Sequence, residues 1–405
     1  MIAHNSLQGK RKIKILNVLH VGELGGPQIR AISVANKLRF QNIETIFVIP
    51  KGKYKFAELA RSEGFKVYQV TEVLGDPTTF LGILRNIKYS MMLPISVINI
   101  SRIIQKEKVD IVHNNTIFNI AGFLAAIITK RKLVWHLNDT MAPKIIKKIM
   151  CPLVLKCSDA IVTASKEVAR YYFGNKNISN LSIIYAPVNI ERFNPRKVSK
   201  EYKNLLRKEF DINENDIIIG TVGNISRIKG YEYFIKAAAL VKKYVEKKGK
   251  KVKFIIVGDV FKTQNKYYNE LKELKKNLNL NSDLIFAGFR NDIPEILSIV
   301  DIFVFTSLSE GCPIAVLEAM AAGLPIVASK INPVSEIINE KTGILVEPKK
   351  PEAIANAIIN LLENPGMLNN IEGKKMVTEN FSLDICVDKH AHLYRRIINN
   401  LNGGR

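Results

Sequence analysis

Thirteen short runs rich in valine and isoleucine alternate with longer helical patterns, and this alternation constrains the fold more than any other feature of the chain. Most of the runs lack polar alternation, which is typical of strands covered on both faces of a parallel sheet. Helical patterns such as Gln28–Arg39 and Phe56–Glu63 separate the first runs. The first seven strand candidates are Lys14–Val21, Glu44–Ile49, Lys66–Val70, Val109–His113, Leu133–Leu137, Ala160–Ala164 and Ser182–Ile184. They predict a doubly wound α/β domain.

A second series of the same kind follows a break. Ala186-Pro187 and Asn194-Pro195 bracket a polar stretch that runs to Lys200, where we place the interdomain linker. The 405 residues suffice for two domains of about 200 each, so we predict two Rossmann-like domains, 1–195 and 205–380, with a cleft between them. The expected strands are Ile217–Val222, Lys253–Val257, Leu284–Ala287, Ile302–Thr306, Pro325–Ala328 and Gly343–Val346. The expected helices are Tyr231–Glu246, Tyr267–Leu278, Pro313–Ala322 and Pro351–Glu363, and the tail Leu383–Asn400 is amphipathic.

Positive charge is concentrated in the first half. Of the net +23, residues 1–190 contribute +16, with 27 Lys and Arg against 11 Asp and Glu, and the remainder contributes +7, with 33 against 26. A basic face can meet nucleic acid, anionic lipid or a phosphorylated substrate. A solvated lysine-rich surface explains the charge equally well.

An apolar segment, Thr78–Ile104, interrupts the pattern of the first half. Arg85, Lys88 and Pro94 lie within it, whereas a membrane-spanning helix needs about 20 residues with few charges. We therefore expect two buried helices around Pro94, with an interfacial or substrate-facing helix as the alternative. The first twelve residues are polar and then basic, so no signal peptide is expected.

The four cysteines, at positions 151, 157, 312 and 386, form no CxxC pair and have no histidine cluster beside them in the sequence. A disulfide framework or a zinc site is not expected from this pattern, and a reducing compartment fits it. Small, buried, apolar roles are expected instead.

The segment Asp301–Pro325 carries the most specific functional signal. It predicts a strand, a tight loop at Ser309–Cys312 and a helix that begins at Pro313. Such a loop lies at the carboxyl end of a strand and the N-terminus of a helix, where open α/β sheets bind ligands. Free N–H groups and the helix dipole there would favour a diphosphate.

Two glutamates are unexpected beside such an anion site. Glu310 would be repelled by phosphate unless it accepts hydrogen bonds from neutral sugar hydroxyls. Glu318 lies among apolar helix residues, where a carboxylate costs free energy unless it is hydrogen-bonded, and a ribose diol would supply two donors. The alternative is an acidic first turn with a solvated Glu318.

The spacing of Glu310 and Glu318, with Leu-Glu-Ala-Met-Ala and Gly-Leu-Pro around them, resembles the E-x7-E signature of glycosyltransferase family 4. The resemblance spans nearly the whole chain. It implies a retaining enzyme of the two-domain GT-B type, in which Glu310 contacts the donor sugar and Glu318 the ribose of a nucleotide-sugar. It also implies that the tail helix packs back on the first domain. The donor-site loop would then include Gly311, Cys312 and Pro313.

The segment Gly223–Gly230 is similar to the family's Gly-Arg…Lys-Gly loop, in which the Arg and Lys hold the donor phosphates. Lys229 matches, but Asn224 occupies the Arg position, and we expect Arg227 to supply the missing charge. Cations fit because departure of the nucleotide leaves negative charge on its β-phosphate. A surface role for Lys229 is the alternative. The GT-B type generally works without a metal, so no cofactor is expected.

Two further loops match more weakly. Gly288-Phe289 follows a strand and corresponds to the family loop beside the nucleobase, which makes Phe289 a minor candidate. Gly258-Asp259 resembles the family's Gly-Asp-Gly loop without its second glycine, and a plain turn explains it as well.

The loop Gly22–Gln28 is rich in glycine, which lets backbone approach a ligand closely. It resembles the family's Gly-Gly loop, so Gly25, Gly26 and Gln28 are expected to contact the acceptor or the donor phosphate.

His136 ends a strand and matches a family histidine beside the reacting sugar. Its imidazole could bond the donor sugar or orient the acceptor hydroxyl, and Asp139 could orient the ring. A structural histidine is the alternative. His113 and Ser165 are expected to be structural, and a hydrolase triad around Ser165 is a poor interpretation.

The resemblance implies transfer of a sugar from a UDP- or GDP-linked donor to an acceptor hydroxyl, with Glu310, His136 and Lys229 as the catalytic set. The basic first half suggests a lipid-linked or growing saccharide acceptor in bacterial surface polysaccharide synthesis, such as capsule or lipopolysaccharide. It also suggests an anionic membrane surface as a partner, with the protein cytoplasmic or peripheral on the inner face of the cell membrane.

Three alternatives stay open. A nucleotide-sugar epimerase shares the fold, but it would act without an acceptor. A PLP-dependent phosphorylase has a similar architecture, but no lysine stands in a recognisable cofactor loop. A nucleic-acid-binding protein would explain the charge, yet it leaves Glu310 and Glu318 unexplained, and no DNA-binding motif is recognised.

Overall fold

The structure is a computed structural model that describes residues 11–23, 25–71, 80–260, 262–364, 366 and 370–399, without the side chains of residues 71, 80–85 and 262. The described residues form two compact units. The first unit ends at Pro187 and also includes the residues from Leu383 onward, whereas the second unit is Val188–Ser382.

The first unit is built on a seven-stranded parallel sheet with strand order β3-β2-β1-β4-β5-β6-β7. All seven predicted strands are confirmed, although the first ends three residues earlier than expected. The strands are β1 Ile13–Val18, β2 Ile43–Pro50, β3 Val67–Thr71, β4 Ile111–Asn115, β5 Lys132–Leu137, β6 Ala160–Thr163 and β7 Leu181–Ile183.

Helices cover both faces of this sheet. They are α1 Gly26–Leu38, α2 Lys55–Ser62, α3 Phe80–Glu107, α4 Ile120–Ile128, α5 Lys144–Cys157 and α6 Lys166–Phe173. Parallel crossovers are right-handed, so the reversal of strand order at β1 and β4 places α1 and α2 on one face and α3 to α6 on the other. The strand order therefore assigns every helix of this series to a face.

The expectation of two helices around Pro94 is wrong, because α3 runs through the proline as one helix of 28 residues. Buried positions recur at helical spacing on both sides of it, from Tyr89 through Val97 and Ile100 to Ile104. Packing of this continuous stripe on the sheet and on α4 outweighs the missing hydrogen bond at the proline. Over Asn86–Glu107, α3 is long and apolar enough to span a membrane, a criterion that core helices also meet, and a third of its most apolar stretch is buried.

The second unit is built on a six-stranded parallel sheet with strand order β10-β9-β8-β11-β12-β13. All six predicted strands are confirmed. They are β8 Ile217–Val222, β9 Val252–Val257, β10 Leu284–Gly288, β11 Ile302–Phe305, β12 Ile326–Ser329 and β13 Ile344–Val346. The helices are α7 Lys200–Glu209, α8 Tyr231–Lys247, α9 Asn265–Asn277, α10 Ile293–Leu297, α11 Ile314–Ala321, α12 Asn332–Ser335, α13 Pro351–Glu363 and α14 Ile371–Asn380.

The tail forms α15 (Leu383–Asn399), which belongs to the first unit. Its side chains Cys386, Ala391 and Tyr394 share a buried cluster with Ile15 of β1 and Val34 of α1. At its start, Asp384 accepts a hydrogen bond from Lys37. The helix therefore completes the core on the α1 face of the first sheet.

Candidate functional site

The carboxyl ends of β8 and β11 lie where the strand order of the second sheet reverses. Open α/β sheets bind ligands in the crevice outside such a reversal. The loop 223–230 follows β8 and the loop 306–313 follows β11, so the two most specific sequence motifs lie next to each other.

Hydrogen bonds join these two loops. Leu308 N donates to Ile228 O at 2.7 Å, and Thr306 Oγ1 donates to Lys229 O at 2.9 Å. Gly230, with φ of +62°, fits between them, because a Cβ at this position would lie 2.5 Å from Thr306 O. The backbone that carries Lys229 is thereby fixed against the strand that leads to Glu310.

Lys229 and Glu310 form an ion pair in which Nζ lies 2.6 Å from Oε1. The two side chains are 22% and 13% exposed. Gly223 makes room for the lysine stem, since a Cβ there would lie 3.2 Å from Lys229 Cε. Removing one partner of such a sheltered pair leaves an uncompensated charge. Two of the predicted catalytic residues therefore lie side by side, and each is the counter-ion of the other.

Arg227 points to a different partner. Its Nη2 lies 2.5 and 2.8 Å from the carboxylate oxygens of Glu270 on α9, and its guanidinium lies 4.9 Å from the centre of the Tyr267 ring. Asn224 is exposed on the same loop. The prediction that Arg227 replaces the family Arg therefore requires the guanidinium to leave Glu270, and it stays a prediction.

Glu318 is half-buried on α11. Burial raises the pKa of this carboxyl to about 7, an effect that the charge of Arg192 partly offsets. Among the described residues, no hydrogen bond or ion pair to the Glu318 carboxylate is found. The ionised form of this carboxyl therefore has no hydrogen-bond donor among the residues that the structure describes.

The loop that leads to α11 differs by one residue from expectation. Pro313 is the N-cap of α11 and not its first residue, since Ile314 N still bonds to Cys312 O at 2.9 Å and the helix begins only after this turn. Gly311 and Cys312 are half-buried. Phe289, which follows the end of β10, is 59% exposed, and its role beside the nucleobase stays a prediction.

A cavity of about 250 Å³ lies at the corresponding place in the first unit. Its walls come from β1, α1, β4, β5 and α15, and they include Gln28, Asp139 and His136. Gln28 Nε2 donates to Val21 O at 3.4 Å, and Gly25 is the N-cap of α1, directly before Gly26. The predicted acceptor residues thus share one cavity or the loop beside it.

Asp139 does not orient His136 through any hydrogen bond in the described part of the chain. Its Oδ1 accepts from Met141 N at 2.9 Å and from Tyr172 Oη at 3.4 Å. Ser165 caps α6, because its Oγ accepts from Val168 N at 3.1 Å.

His136 belongs to a buried cluster with His113 and His390, whose exposed fractions are 1%, 2% and 3%. Burial lowers the pKa of all three histidines, to about 4 for His390 and well below the ordinary value for His136 and His113, and the Arg30 charge adds to the lowering. All three rings are therefore neutral near pH 7.

The hydrogen-bond partners define the tautomers. Arg30 Nη2 lies 2.8 Å from His136 Nε2 and 3.1 Å from His136 Nδ1, and an arginine can only donate, so we assign the lone pair to the nearer nitrogen, Nε2, and the proton to Nδ1. His136 Nδ1 then donates to His113 Nε2 at 3.0 Å, and His113 Nδ1 donates to Tyr394 Oη at 2.8 Å. A directed chain of hydrogen bonds runs from α1 to α15.

The three histidines also have the spacing of a metal site, with one ring nitrogen from each within 4.8 Å of the others. Two of the lone pairs already accept hydrogen bonds from Arg30 and His136. A cation here would also lie against the guanidinium of Arg30. The cluster therefore fits the hydrogen-bonded chain better than a metal centre.

Two family models match the chain consecutively. Residues 24–192 match "Glycosyltransferase Family 4", and residues 203–376 match "Glycosyl transferases group 1". The chain is a family 4 glycosyltransferase. The second match contains Lys229, Glu310 and Glu318, and the first contains Gln28, His136 and Asp139.

Individual relatives of this glycosyltransferase agree with the family. It is 28% identical over 317 residues to "UDP-Gal:alpha-D-GlcNAc-diphosphoundecaprenol alpha-1,3-galactosyltransferase" of Escherichia coli, an alignment that covers 74% of this chain and 78% of the relative. A glycosyltransferase structure from Rickettsia africae superposes with a TM-score of 0.82 at 24% identity, over 96% of this chain and all of the other. The Anabaena protein HepE in complex with UDP and glucose superposes with a TM-score of 0.78 at 22% identity, over 94% and 98%. The GT-B fold predicted from the sequence is confirmed.

Three side chains of the glycosyltransferase were missed by sequence reasoning. Tyr231 is buried and donates from Oη to Gly223 O at 2.6 Å, and burial, with a smaller contribution from Glu310, raises its pKa. Arg30 and His390 surround His136. The position of Arg30 in a helix start after a glycine-rich loop could have suggested it as a site residue. No local sequence signal relates His390 to His136, which lies 254 positions earlier.

Proposed function

We propose that the protein transfers a sugar from a uridine diphosphate donor to a saccharide carried on a lipid diphosphate, in bacterial surface polysaccharide synthesis. The Lys229–Glu310 pair at the strand reversal of the second sheet carries the proposal. The E. coli relative is named for a UDP-linked galactose and a diphosphoundecaprenol acceptor, and HepE was solved with UDP and glucose. No cofactor takes part in the proposed reaction.

The ion pair suggests how the donor is recognised. A donor diphosphate attracts Lys229 Nζ away from Glu310, and the released carboxylate accepts hydrogen bonds from sugar hydroxyls. The pair then separates into a phosphate ligand and a sugar ligand. Lys229 stabilises the charge that develops on the β-phosphate as the bond from the sugar C1 to its oxygen breaks.

We propose retention of configuration at C1, as in the family. The acceptor oxygen forms its bond to C1 on the face that the diphosphate leaves, and the acceptor proton passes to the departing phosphate oxygen. Proton NMR of the newly formed product distinguishes the anomers through the coupling between H1 and H2. An inverted anomer would refute retention and leave the transferase assignment standing.

Donor and reaction type are tested together. Thermal-shift screening against UDP-, GDP- and ADP-linked sugars should give the largest shift with a UDP-sugar. Incubation of that sugar alone should leave its configuration unchanged, whereas an epimerase would convert it. If only GDP-linked sugars stabilise the protein, the donor carries guanosine diphosphate and not uridine diphosphate.

Nucleotide binding is expected to strengthen as pH rises through 7 because of Glu318. A ribose diol donates to the ionised carboxylate, but burial raises the pKa of the free carboxyl to about 7. At pH 6 only about a tenth of the protein carries the ionised form, so UDP-glucose should bind about tenfold more weakly at pH 6 than at pH 8. Without ligand, the same shift lowers stability as pH rises from about 4.5 to about 7, because in this range the unfolded chain releases the proton that the folded Glu318 carboxyl keeps.

Titration calorimetry of UDP-glucose from pH 5.5 to 8.5 measures this dependence, since the diester phosphates of that donor do not titrate in the range. Glu318→Gln should bind with little change across it. A wild-type profile as flat as that of the variant would contradict the ribose assignment of Glu318.

The helices that cover one face of the first sheet present apolar side chains to solvent. Exposed residues recur at helical spacing on α3 and α5, and the same face carries exposed lysines at positions 88, 144 and 148. The exposed apolar residues are Ile87, Met91, Ile95 and Ile98 on α3, and Met141, Ile145, Ile149 and Leu153 on or just before α5. We propose that this apolar and basic face adsorbs to an anionic bilayer, at the surface that carries the acceptor.

Liposome flotation should recover the protein with vesicles that contain anionic phosphatidylglycerol, and less with neutral vesicles or high salt. The double substitution Ile145→Glu and Ile149→Glu should lower vesicle affinity by about tenfold or more, since each buried isoleucine contributes about 1.5 to 3 kcal/mol. Phe40→Glu is the matched control, because Phe40 is 79% exposed and lies outside α3 to α6. Equal flotation of both variants would exclude the α5 face as the contact.

A further inference from the structure

The cavity of the first unit lies at the strand reversal of its own sheet. β1 pairs with β2 on one side and with β4 on the other, and the cavity walls include residues of β1, α1 and β4. This is the position where an open α/β sheet binds a ligand, as in the second unit. Arg30, from the first turns of α1, is the arginine in its lining.

Arg30 is half-buried, and its partners are neutral. Among the described residues, its Nη2 contacts only the ring nitrogens of His136, at 2.8 and 3.1 Å. In the described part of the chain no carboxylate lies within ion-pair distance, and Asp139 in the cavity wall is bonded to Met141 and Tyr172. A sheltered guanidinium without an anionic neighbour costs free energy that a bound anion would offset.

The histidine chain holds Arg30 in this position. His136 donates from Nδ1 to His113, and His113 donates to Tyr394 on α15, so His136 presents the lone pair of Nε2 to the guanidinium. Only Nη2 is used in this contact, and within the described residues no partner to Nη1 or Nε is found. A planar fork of N–H donors therefore remains for two oxygens of one anionic group.

We propose that Arg30 binds the diphosphate of the acceptor in the cavity of the first unit. The inference rests on the proposed function for the source of that diphosphate. The two sheets then have corresponding roles. The donor diphosphate binds where the strand order of the second sheet reverses, and the acceptor diphosphate binds where the strand order of the first sheet reverses. His136 and His113 are then positioning residues for Arg30 and do not touch the reacting atoms.

Nitrogen NMR with ¹⁵N-labelled histidine tests binding and positioning together. His136 and His113 should both show the Nδ1–H tautomer, the less common form in free imidazole. Inorganic pyrophosphate, added with saturating UDP to occupy the donor site, should shift the His136 signals. Arg30→Gln should weaken pyrophosphate by roughly 10- to 100-fold and return His136 towards the Nε2–H form, with the UDP affinity unchanged. Arg61→Gln, at an exposed arginine of α2, is the control and should behave as wild type.

Kinetics with a soluble short-chain prenyl-diphosphate saccharide separate the acceptor from bilayer phosphate, since no membrane is present. Arg30→Gln should raise the KM for this acceptor by a similar factor and leave the KM for the donor unchanged, and Arg30→Lys should give an intermediate value. Equal pyrophosphate binding by wild type and Arg30→Gln would overturn the inference, as would a change confined to the donor KM. The pyrophosphate titration reports on Arg30 even if no lipid-linked acceptor is turned over, so failure of the proposed function is recognised separately.

Discussion

The Glu310→Ala variant is expected to lose sugar transfer by roughly 10²- to 10³-fold and to bind UDP at least as tightly as the unchanged protein. The two effects have opposite directions because the carboxylate has two opposed interactions. It accepts hydrogen bonds from the donor sugar, and it also neutralises Lys229, whose Nζ lies 2.6 Å away. Without it, the lysine is free for the diphosphate, while the reacting sugar loses a ligand.

Titration calorimetry with UDP and a transfer assay with the preferred UDP-sugar measure the two quantities. Glu379→Ala, at an exposed position on α14, is the matched control and should change neither. Glu310→Gln keeps the shape and part of the hydrogen bonding, so an intermediate loss is expected. Full activity of Glu310→Ala would show that Glu310 does not hold the sugar. Lost UDP binding would move the residue from sugar recognition to nucleotide recognition.

The arrangement around Glu310 could be predicted because its determinants are local. A strand, a tight loop and a helix start within the 25 residues 301–325 place Glu310 and Glu318 at the carboxyl edge of the sheet wherever that sheet forms. The loop after β8 follows the same rule, and the strand reversal brings Lys229 next to it. The ion pair itself was not predicted. The resemblance assigns the donor phosphate to Lys229 and the donor sugar to Glu310, and it does not show how the two side chains interact when no ligand is bound.

The environment of His136 could not be predicted, because its determinants are distant in the chain. Arg30 lies 106 residues before His136 and His390 lies 254 residues after it, and only the return of α15 to the first sheet brings the three together. The strand end and the resemblance predict a catalytic role for His136, but they do not show the buried partners that surround the ring and keep it neutral.

The prediction of two helices around Pro94 is wrong for a related reason. A proline inside a helical pattern predicts a break from local geometry. The buried stripe from Tyr89 to Ile104 continues through the proline. The packing of this stripe against the rest of the unit holds the helix together, and it cannot be deduced from the local backbone geometry of proline.

Lys229→Ala is expected to reduce transfer by roughly 10²- to 10³-fold and to weaken UDP binding by about 10- to 100-fold, because the lysine would stabilise both the bound diphosphate and the charge on the leaving group. Lys236→Ala, at an exposed lysine on α8, is the control. Lys229→Ala leaves the Glu310 carboxylate uncompensated beside the donor diphosphate, and this repulsion disappears when Glu310 is also replaced, so the double variant Lys229→Ala, Glu310→Ala should lose less than the product of the two single losses. The double variant also removes both buried charges, so its thermal stability should exceed that of either single variant, each of which leaves one charge without its partner.

If Lys229→Ala binds UDP with unchanged affinity, the phosphate cation lies elsewhere on the loop, and Arg227, released from Glu270, becomes the residue to test.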